Sequence, residues 1–518
     1  MIWKKNLIAI FMAIILLLTG CGPANVIDTV YENDDDSTLD LSPTEGGQVI
    51  IPLTNFSTLN PLLTTNSHYH YFSKLIFEGL FDFNQDLSIE PKLAESYFIF
   101  NEGKTISIKL KNDIQWHDGN SFTSEDVQFT IDVIKYANRE STYGNILESS
   151  LGADGVINFN TVINTKVIDD NNIEITFDKQ YLNNLEVLTF PIIPKHIFVQ
   201  NGNKNPIINA LVTDDYLPIG TGPYKFVSHE KHKFVTLNKN ENYWNGTPYI
   251  NEIVGRVLDD EELILTAFET GQINFASTIG VDWDKYRQNS RIKVLEYISP
   301  NYEFIGFNFN NGLMQDEKGQ SIRKAIAYGI NRQDIIHKVY LGHGTQIDVP
   351  MYPDSYLLSS GANTFGYNKD IALEILNKAG FKDIDEDGIL EDENGVDLSL
   401  RLVTNVNNST RRLVADLIKD NLRDIGIEVK LDFNTQYTKE YDEAESETIW
   451  EEFNSKISKG DYDMVLLGWQ SSIIPNLYPM YHSSMISKGT NFINYNNESM
   501  DLLLRDTLID NPIESKVD

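Results

Sequence analysis

The chain has 518 residues, a single cysteine and a formal net charge of −33 at pH 7. So acidic a surface repels phosphates, which excludes nucleic acid and an anionic membrane surface as partners. One cysteine excludes an internal disulfide, and the length allows two or three domains with real cores.

Lys4 and Lys5 precede an apolar run, Leu7 to Leu18, of signal-peptide length and short for a membrane span. The run ends in Leu18-Thr19-Gly20-Cys21, which resembles a bacterial lipobox. That resemblance implies cleavage before Cys21 and lipidation of its thiol. An uncleaved anchor with an incidental cysteine is the alternative. Residues 1–20 therefore read as a lipoprotein signal peptide. Residues 21–44, with Glu32, Asp34, Asp35 and Asp36, read as a flexible acidic tether. It holds too little apolar surface to offset the entropy of ordering.

Strand-like and helix-like segments alternate through the rest, which points to an α/β fold. Gln48 to Leu53 reads as a strand, broken by Asn60-Pro61, and Tyr69 to Phe81 shows helical spacing. Ile106, Ile108 and Leu110 alternate with Ser107 and Lys109, the pattern of a half-buried strand. Thr123 is placed to cap the next helix, with Asp126 at the capping-box position. Gly220-Thr221-Gly222-Pro223-Tyr224 reads as a tight loop entering a strand; its spacing fits neither a Walker loop nor a dinucleotide fingerprint. Phe304 to Asn310 alternates as a strand, and Ser321 to Leu341 reads as helical.

Asp383, Asp385, Asp387 and Glu391 sit at the spacing of an EF-hand half-loop, but position twelve is Asn394. The loop is a candidate for a weak structural calcium ion; an Asp-rich hairpin turn accounts for the same pattern. No other cofactor is expected. Thr410 to Ile425 reads as an amphipathic helix stopped by Gly426 and followed by the strand Ile427 to Leu431. Asp463 to Leu467 reads as a strand ending in Gly468-Trp469. No nucleophile motif with a base is recognisable, so an enzyme is not expected.

In order along the chain stand Leu59-Asn60-Pro61, Phe77-Glu78-Gly79-Leu80, Pro91-Lys92-Leu93-Ala94-Glu95-Ser96, Trp116-His117-Asp118-Gly119 and Phe122-Thr123-Ser124-Glu125-Asp126-Val127. Gly220-Thr221-Gly222-Pro223-Tyr224, Asn242-Tyr243-Trp244, Arg323-Lys324-Ala325-Ile326-Ala327, Ile330-Asn331-Arg332, Asn377-Lys378-Ala379-Gly380-Phe381 and Gly468-Trp469 follow. With these landmarks the chain resembles the family 5 extracellular solute-binding proteins of ABC importers, the dipeptide- and oligopeptide-binding class, from about Gly47 onward. The resemblance implies a two-lobed, periplasmic-binding-protein-like fold of type II with an extra inserted domain. Lobe I would comprise 45–77, 219–300 and 500–518, the insertion 78–218, and lobe II 301–499. It also implies an extracytoplasmic, lipid-anchored monomer that hands a peptide or similar small solute to ABC permease subunits and touches the membrane through its lipid alone. A signalling or pheromone-peptide receptor, or a metal-chelate binder, is the alternative on the same scaffold.

By the same resemblance, Asn66, Ser67, His68 and Tyr69 form one ligand segment, and Gly468, Trp469, Gln470 and Ser472 the other. Each would pair its backbone with an extended peptide. His68 and His70 are expected on one face of an extended segment, and His68 or His482 is the contact a metal chelate would use. Peptide binders of the family usually place an Asp three residues after the tryptophan; here that position is Ser472, which supplies no countercharge for a ligand ammonium. Family members continue past the helix that starts near Met500, whereas this sequence stops at Asp518. Lobe I is therefore expected to lack its closing elements and to be less stable than a full-length relative's.

Overall fold

Apolar alternation builds the sheets: Ile106, Ile108 and Leu110 are fully buried while Lys109 between them is exposed. The computed structural model describes residues 43–509, apart from 145, 147–161, 182, 200–204, 213, 259–261, 279–282, 360–363, 434–442, 472 and 475. The signal peptide, Cys21, nearly all of the tether, Ser472 and the residues after Ile509 lie outside that set. Among the described residues no helix is long and apolar enough to cross a membrane.

In chain order the strands are β1 (Gln48–Thr54), β2 (Phe81–Phe83), β3 (Ile89–Pro91), β4 (Ala94–Phe100), β5 (Thr105–Leu110), β6 (Ile163–Asp169) and β7 (Asn172–Phe177). Then come β8 (Tyr224–Glu230), β9 (Phe234–Lys239), β10 (Glu252–Leu258), β11 (Asn301–Phe307), β12 (Ser399–Val403), β13 (Glu428–Leu431) and β14 (Met464–Gln470). One sheet has the order β1-β10-β9-β8, in which β1 runs parallel to β10 although some two hundred residues separate them. A second, antiparallel sheet has the order β4-β5-β7-β6. A third has the order β11-β14-β12-β13: β12 runs parallel to both β13 and β14, and β11 antiparallel to β14. β2 and β3 form a separate hairpin.

Two large apolar cores follow from these sheets. One runs from Leu53 through Trp116 and Phe190 to Val257, joining the first two sheets. The other, from Met314 to Leu466, packs helices on the third sheet. Ile474, which follows β14, is buried in the first core and so ties the two halves together. The Gly220–Tyr224 loop joins the first sheet to the segment after the opening helix. Gly222 N donates to Ile76 O at 2.9 Å and Tyr224 N to Leu75 O at 2.9 Å. A side chain at Gly220 or Gly222 would collide with the Ile76 carbonyl, so the glycines serve close backbone approach.

The capping box opens the helix Ser124–Ala137, with Thr123 N donating to Asp126 Oδ2 at 2.9 Å. Gly426 ends the helix Ser409–Arg423 region at φ +79, as its position in the sequence predicts. Three readings need correction. Tyr69 to Phe81 is not one helix: the helix is Ser67–Ser73, and Phe81 already lies in β2. Ser321 to Leu341 is two helices, Asp316–Gly329 and Arg332–Val339, because the backbone extends at Ile330 and Asn331 caps the second helix through Asp334 N at 3.1 Å. The strand read from Phe304 to Asn310 runs instead from Asn301 to Phe307, where β14 supplies a partner for each residue.

Candidate functional site

The carboxyl end of β14 meets the start of β11, on the side toward which the parallel strand β12 also points, the kind of sheet end where open α/β folds gather ligands. Trp469 stands opposite Tyr302 and Gly468 opposite Glu303. A side chain at Gly468 would collide with the Arg411 guanidinium and the Glu303 carboxylate, so this glycine makes room for an ion pair. Arg411 donates from Nε to Glu303 Oε2 at 2.8 Å, from Nη2 to Glu303 Oε1 at 3.0 Å, and from Nη1 to Asn405 Oδ1 at 2.5 Å. Asn408 caps the helix that carries Arg411, accepting from its backbone N–H at 2.9 Å. The bidentate pair is charge-neutral and its geometry is fixed. Burial, with Glu303 adding to it and Arg411 opposing it, pushes the nearby Tyr340 phenol up to about 12.

At this end of β14 lies a cavity of about 170 Å³ walled by Leu87, Tyr302, Met351, Trp469, Ile474 and Met480, among others. No Asp, Glu, Lys, Arg or His is among the described residues that line it. The walls come from segments far apart in sequence. Tyr302 donates its phenolic hydrogen to Met480 Sδ at 3.6 Å, and Ser471 N donates to Pro300 O at 2.9 Å. Leu87 sits at the tip of the β2–β3 hairpin with φ +63, a conformation that L residues rarely adopt. The hairpin meets the segment after Met351: Tyr356 N donates to Asp86 O at 3.0 Å, and the Tyr356 hydroxyl donates to Glu186 Oε1 at 3.2 Å.

Of the residues singled out from the sequence, Trp469 and Gln470 line this cavity, and Gly468 packs against Arg411 and Glu303. The Asn66–Tyr69 segment is helical rather than extended, because Asn66 is an effective N-cap: its Oδ1 accepts from Tyr69 N at 2.8 Å. His70 N is already bonded to Asn66 O at 2.9 Å. The Tyr69 side chain is fully buried, donates to Leu59 O at 2.8 Å and stacks on Phe56 at 4.5 Å, a core role. Ser67 is exposed, and His68 Nδ1 lies 3.2 Å from Thr54 Oγ1. His68 and His70, two apart on a helix, do not share a face. His482 is buried, stacks on Tyr478 at 4.1 Å and accepts at Nδ1 from Ser484 N at 3.1 Å, so its ring serves local packing. Leu87, Tyr302, Met351 and Met480 were missed. The one available signal was Pro350-Met351-Tyr352-Pro353, apolar and free of helical or strand period.

The acidic loop brings one carboxylate oxygen from each of Asp383, Asp385, Asp387 and Glu391 within 4.8 Å of one another. Three of these residues are exposed and Glu391 is buried. Asp383 Oδ2 accepts from Gly388 N at 3.1 Å, Asp387 Oδ1 from Ile389 N at 2.8 Å, and Glu391 Oε2 from Ile384 N at 2.7 Å. All four are hard oxygen donors of the type that suits calcium.

Residues 88–491 match the model of the bacterial extracellular solute-binding proteins, family 5 (middle). The oligopeptide-binding protein AppA of Bacillus subtilis is 27% identical over 506 residues, covering 96% of this chain and 87% of that one. The solved structure of AppA from Bacillus subtilis in complex with a nonapeptide superposes with a TM-score of 0.57 at 25% identity, covering 92% of this chain and 89% of that one. NikZ from Campylobacter jejuni, solved in complex with Ni(L-His), has the same fold, with a TM-score of 0.60 at 23% identity over 91% of this chain and 88% of that one. The α/β sheets, the cavity at the end of β14 and the match over residues 88–491 lead to one assignment: this chain belongs to the family 5 bacterial extracellular solute-binding proteins.

Proposed function

We propose that the chain is the receptor subunit of an ABC importer, anchored by a lipid on Cys21, and that it captures peptides without transforming them. One observation carries the reading: Leu87 from the β2–β3 hairpin and Trp469 from β14 wall the same cavity, so a ligand there touches both halves of the molecule. A ligand that bridges two bodies favours their closed arrangement by its extra contacts, which gives an importer something to recognise. Lobe I at 45–77, 219–300 and 500–518, the insertion at 78–218 and lobe II at 301–499 are the bodies of this reading. The grouping of β1 with β8–β10, of β4–β7, and of β11–β14 into separate sheets supports it. A peptide ligand is favoured over a metal chelate because no histidine or acid is among the described residues lining the cavity. The relative AppA is an oligopeptide-binding protein.

The test uses the full chain, stripped of bound material by unfolding and refolding, then mixed with a tryptic digest and separated by gel filtration. Intact peptides recovered with the protein by mass spectrometry are the expected result. Recovery of no peptide, or of shortened ones, overturns the reading.

A further inference from the structure

The cavity beside Trp469 has a chemistry unlike the rest of the chain. Charged residues make up 23% of the sequence, yet none is among the described residues lining the cavity. Its walls are mainly aromatic rings (Tyr302, Trp469), thioethers (Met351, Met480) and aliphatic groups (Leu87, Ile474), with the uncharged polar groups of Gln470, Ser471 and Asn476 among them. Its volume of about 170 Å³ is that of one large side chain rather than of a whole peptide. An apolar cavity of roughly 150 Å³ holds one benzene ring. Glu303, next to Tyr302 in β11, is held by Arg411 in a bidentate, mutually satisfied pair, so neither partner is left as a countercharge for a guest.

We propose that this cavity selects one large uncharged side chain of the ligand, aromatic, leucine or methionine, and rejects charged ones at that position. The inference rests on the peptide reading above and adds specificity to it. Three features support the assignment. A charged guest would lose water and gain no countercharge, whereas an aromatic guest stacks on Trp469 and Tyr302. Thioethers adapt to guests of different outline and pack well against rings, so Met351 and Met480 tolerate variation in shape without admitting charge. Leu87 closes the cavity from the hairpin side in a strained backbone conformation, so one wall is built at a conformational cost.

The experiment reads the composition of peptides retained by the stripped full chain from a synthetic mixture of equal-length peptides, randomised at every position. Sequencing by mass spectrometry should show one ligand position enriched at least about tenfold in Phe, Tyr, Trp, Leu and Met over Asp, Glu, Lys and Arg. Met351→Asp, with its folding checked by circular dichroism, should move that position toward Lys and Arg. Leu87→Gly relieves the backbone strain and removes a wall without adding charge. It should widen the accepted sizes at the same position while keeping the exclusion of charge. Retention of peptides with no positional preference, or with a preference that neither variant changes, overturns this inference and leaves the peptide reading standing. Retention of no peptide overturns both.

Discussion

Tyr243 donates its phenolic hydrogen to the carboxylate of Glu78 at 2.6 Å, across 165 residues of sequence. Thr221 Oγ1 and Trp244 Nε1 donate to the other carboxylate oxygen at 3.0 and 2.9 Å, and Lys92 Nζ stands 3.8 Å away. Lys111 lies over the Trp244 ring at 4.1 Å. Three of the landmark motifs of the sequence therefore converge on one buried acid, which fastens the β2 segment to the loops flanking β8 and β9. Burial is tolerable because every donor around the carboxylate is used. Glu78→Ala would strand those donors and the nearby ammonium. A loss of about 3–5 kcal/mol is expected, measured by chemical unfolding. A loss under about 1 kcal/mol would show that the cluster is not a fastening.

That hub also marks where sequence reasoning stopped. Features carried by a few consecutive residues were legible: the alternation of Ile106 and Ile108, the Thr123–Asp126 capping box, and the stop at Gly426. Each depends on local backbone geometry alone. The match of Phe77-Glu78-Gly79-Leu80 to the family was visible too, but its physical purpose was not, because its partners are supplied by distant loops. The same holds for the cavity. Trp469 was found because it sits in a short motif; Leu87, Tyr302 and Met351 were not, since no local pattern brings a hairpin tip to the end of another sheet. Asn66 misled the reading in the opposite way. Its local capping chemistry turned an expected extended segment into a helix.

His117 gives the fold a pH dependence. Its ring accepts from Gly220 N at 3.3 Å and lies 3.0 Å from Gly222 O, bridging to the same glycine loop. Burial, partly opposed by the Gly222 carbonyl, lowers its pKa from 6.5 to about 4. The unfolded chain thus takes up this proton at a higher pH than the folded one. Its contribution is fully present above about pH 6.5 and is lost as pH falls toward 4. Between pH 7 and 5 the loss is about 2 kcal/mol. In His117→Gln the stability difference between these two pH values should shrink by that amount. An unchanged pH profile would remove His117 as its source.

Four carboxylates within 4.8 Å repel one another, and a divalent cation offsets that repulsion. If the Asp383–Glu391 loop takes calcium as a weak extracellular site, 10 mM calcium should raise the melting midpoint by about 1–3 °C. The double substitution Asp385→Asn and Asp387→Asn should abolish the rise while leaving the calcium-free midpoint no lower. An equal rise in the double variant would assign the effect to general screening of the acidic surface.

Cys21 is the sole cysteine, so the lipid anchor proposed there would have no substitute thiol elsewhere in the chain. Cys21→Ala should release the protein into the medium or leave the precursor unprocessed. A processed variant still held on membranes after a high-salt wash would mean that another feature anchors it.

Tyr356 clasps the segment after Met351 to the 78–218 segment. Its backbone N–H reaches Asp86 O, and its hydroxyl reaches Glu186 Oε1, both within the 78–218 segment. Burial, then Glu186, raises the phenol above its ordinary range, so it stays a donor throughout the physiological range of pH. Tyr356→Phe removes that one hydroxyl and keeps the ring. If the clasp forms when the two bodies close on a peptide, the variant should bind retained peptides about fivefold more weakly, through faster dissociation, because one hydrogen bond of about 1 kcal/mol is lost from the closed state alone. The peptide-free melting midpoint should be unchanged, and small-angle scattering should show less compaction on adding peptide than in the unsubstituted chain. A variant that loses stability without peptide, yet binds and compacts normally, would place the Tyr356–Glu186 bond among permanent structural contacts and take it out of the closing motion.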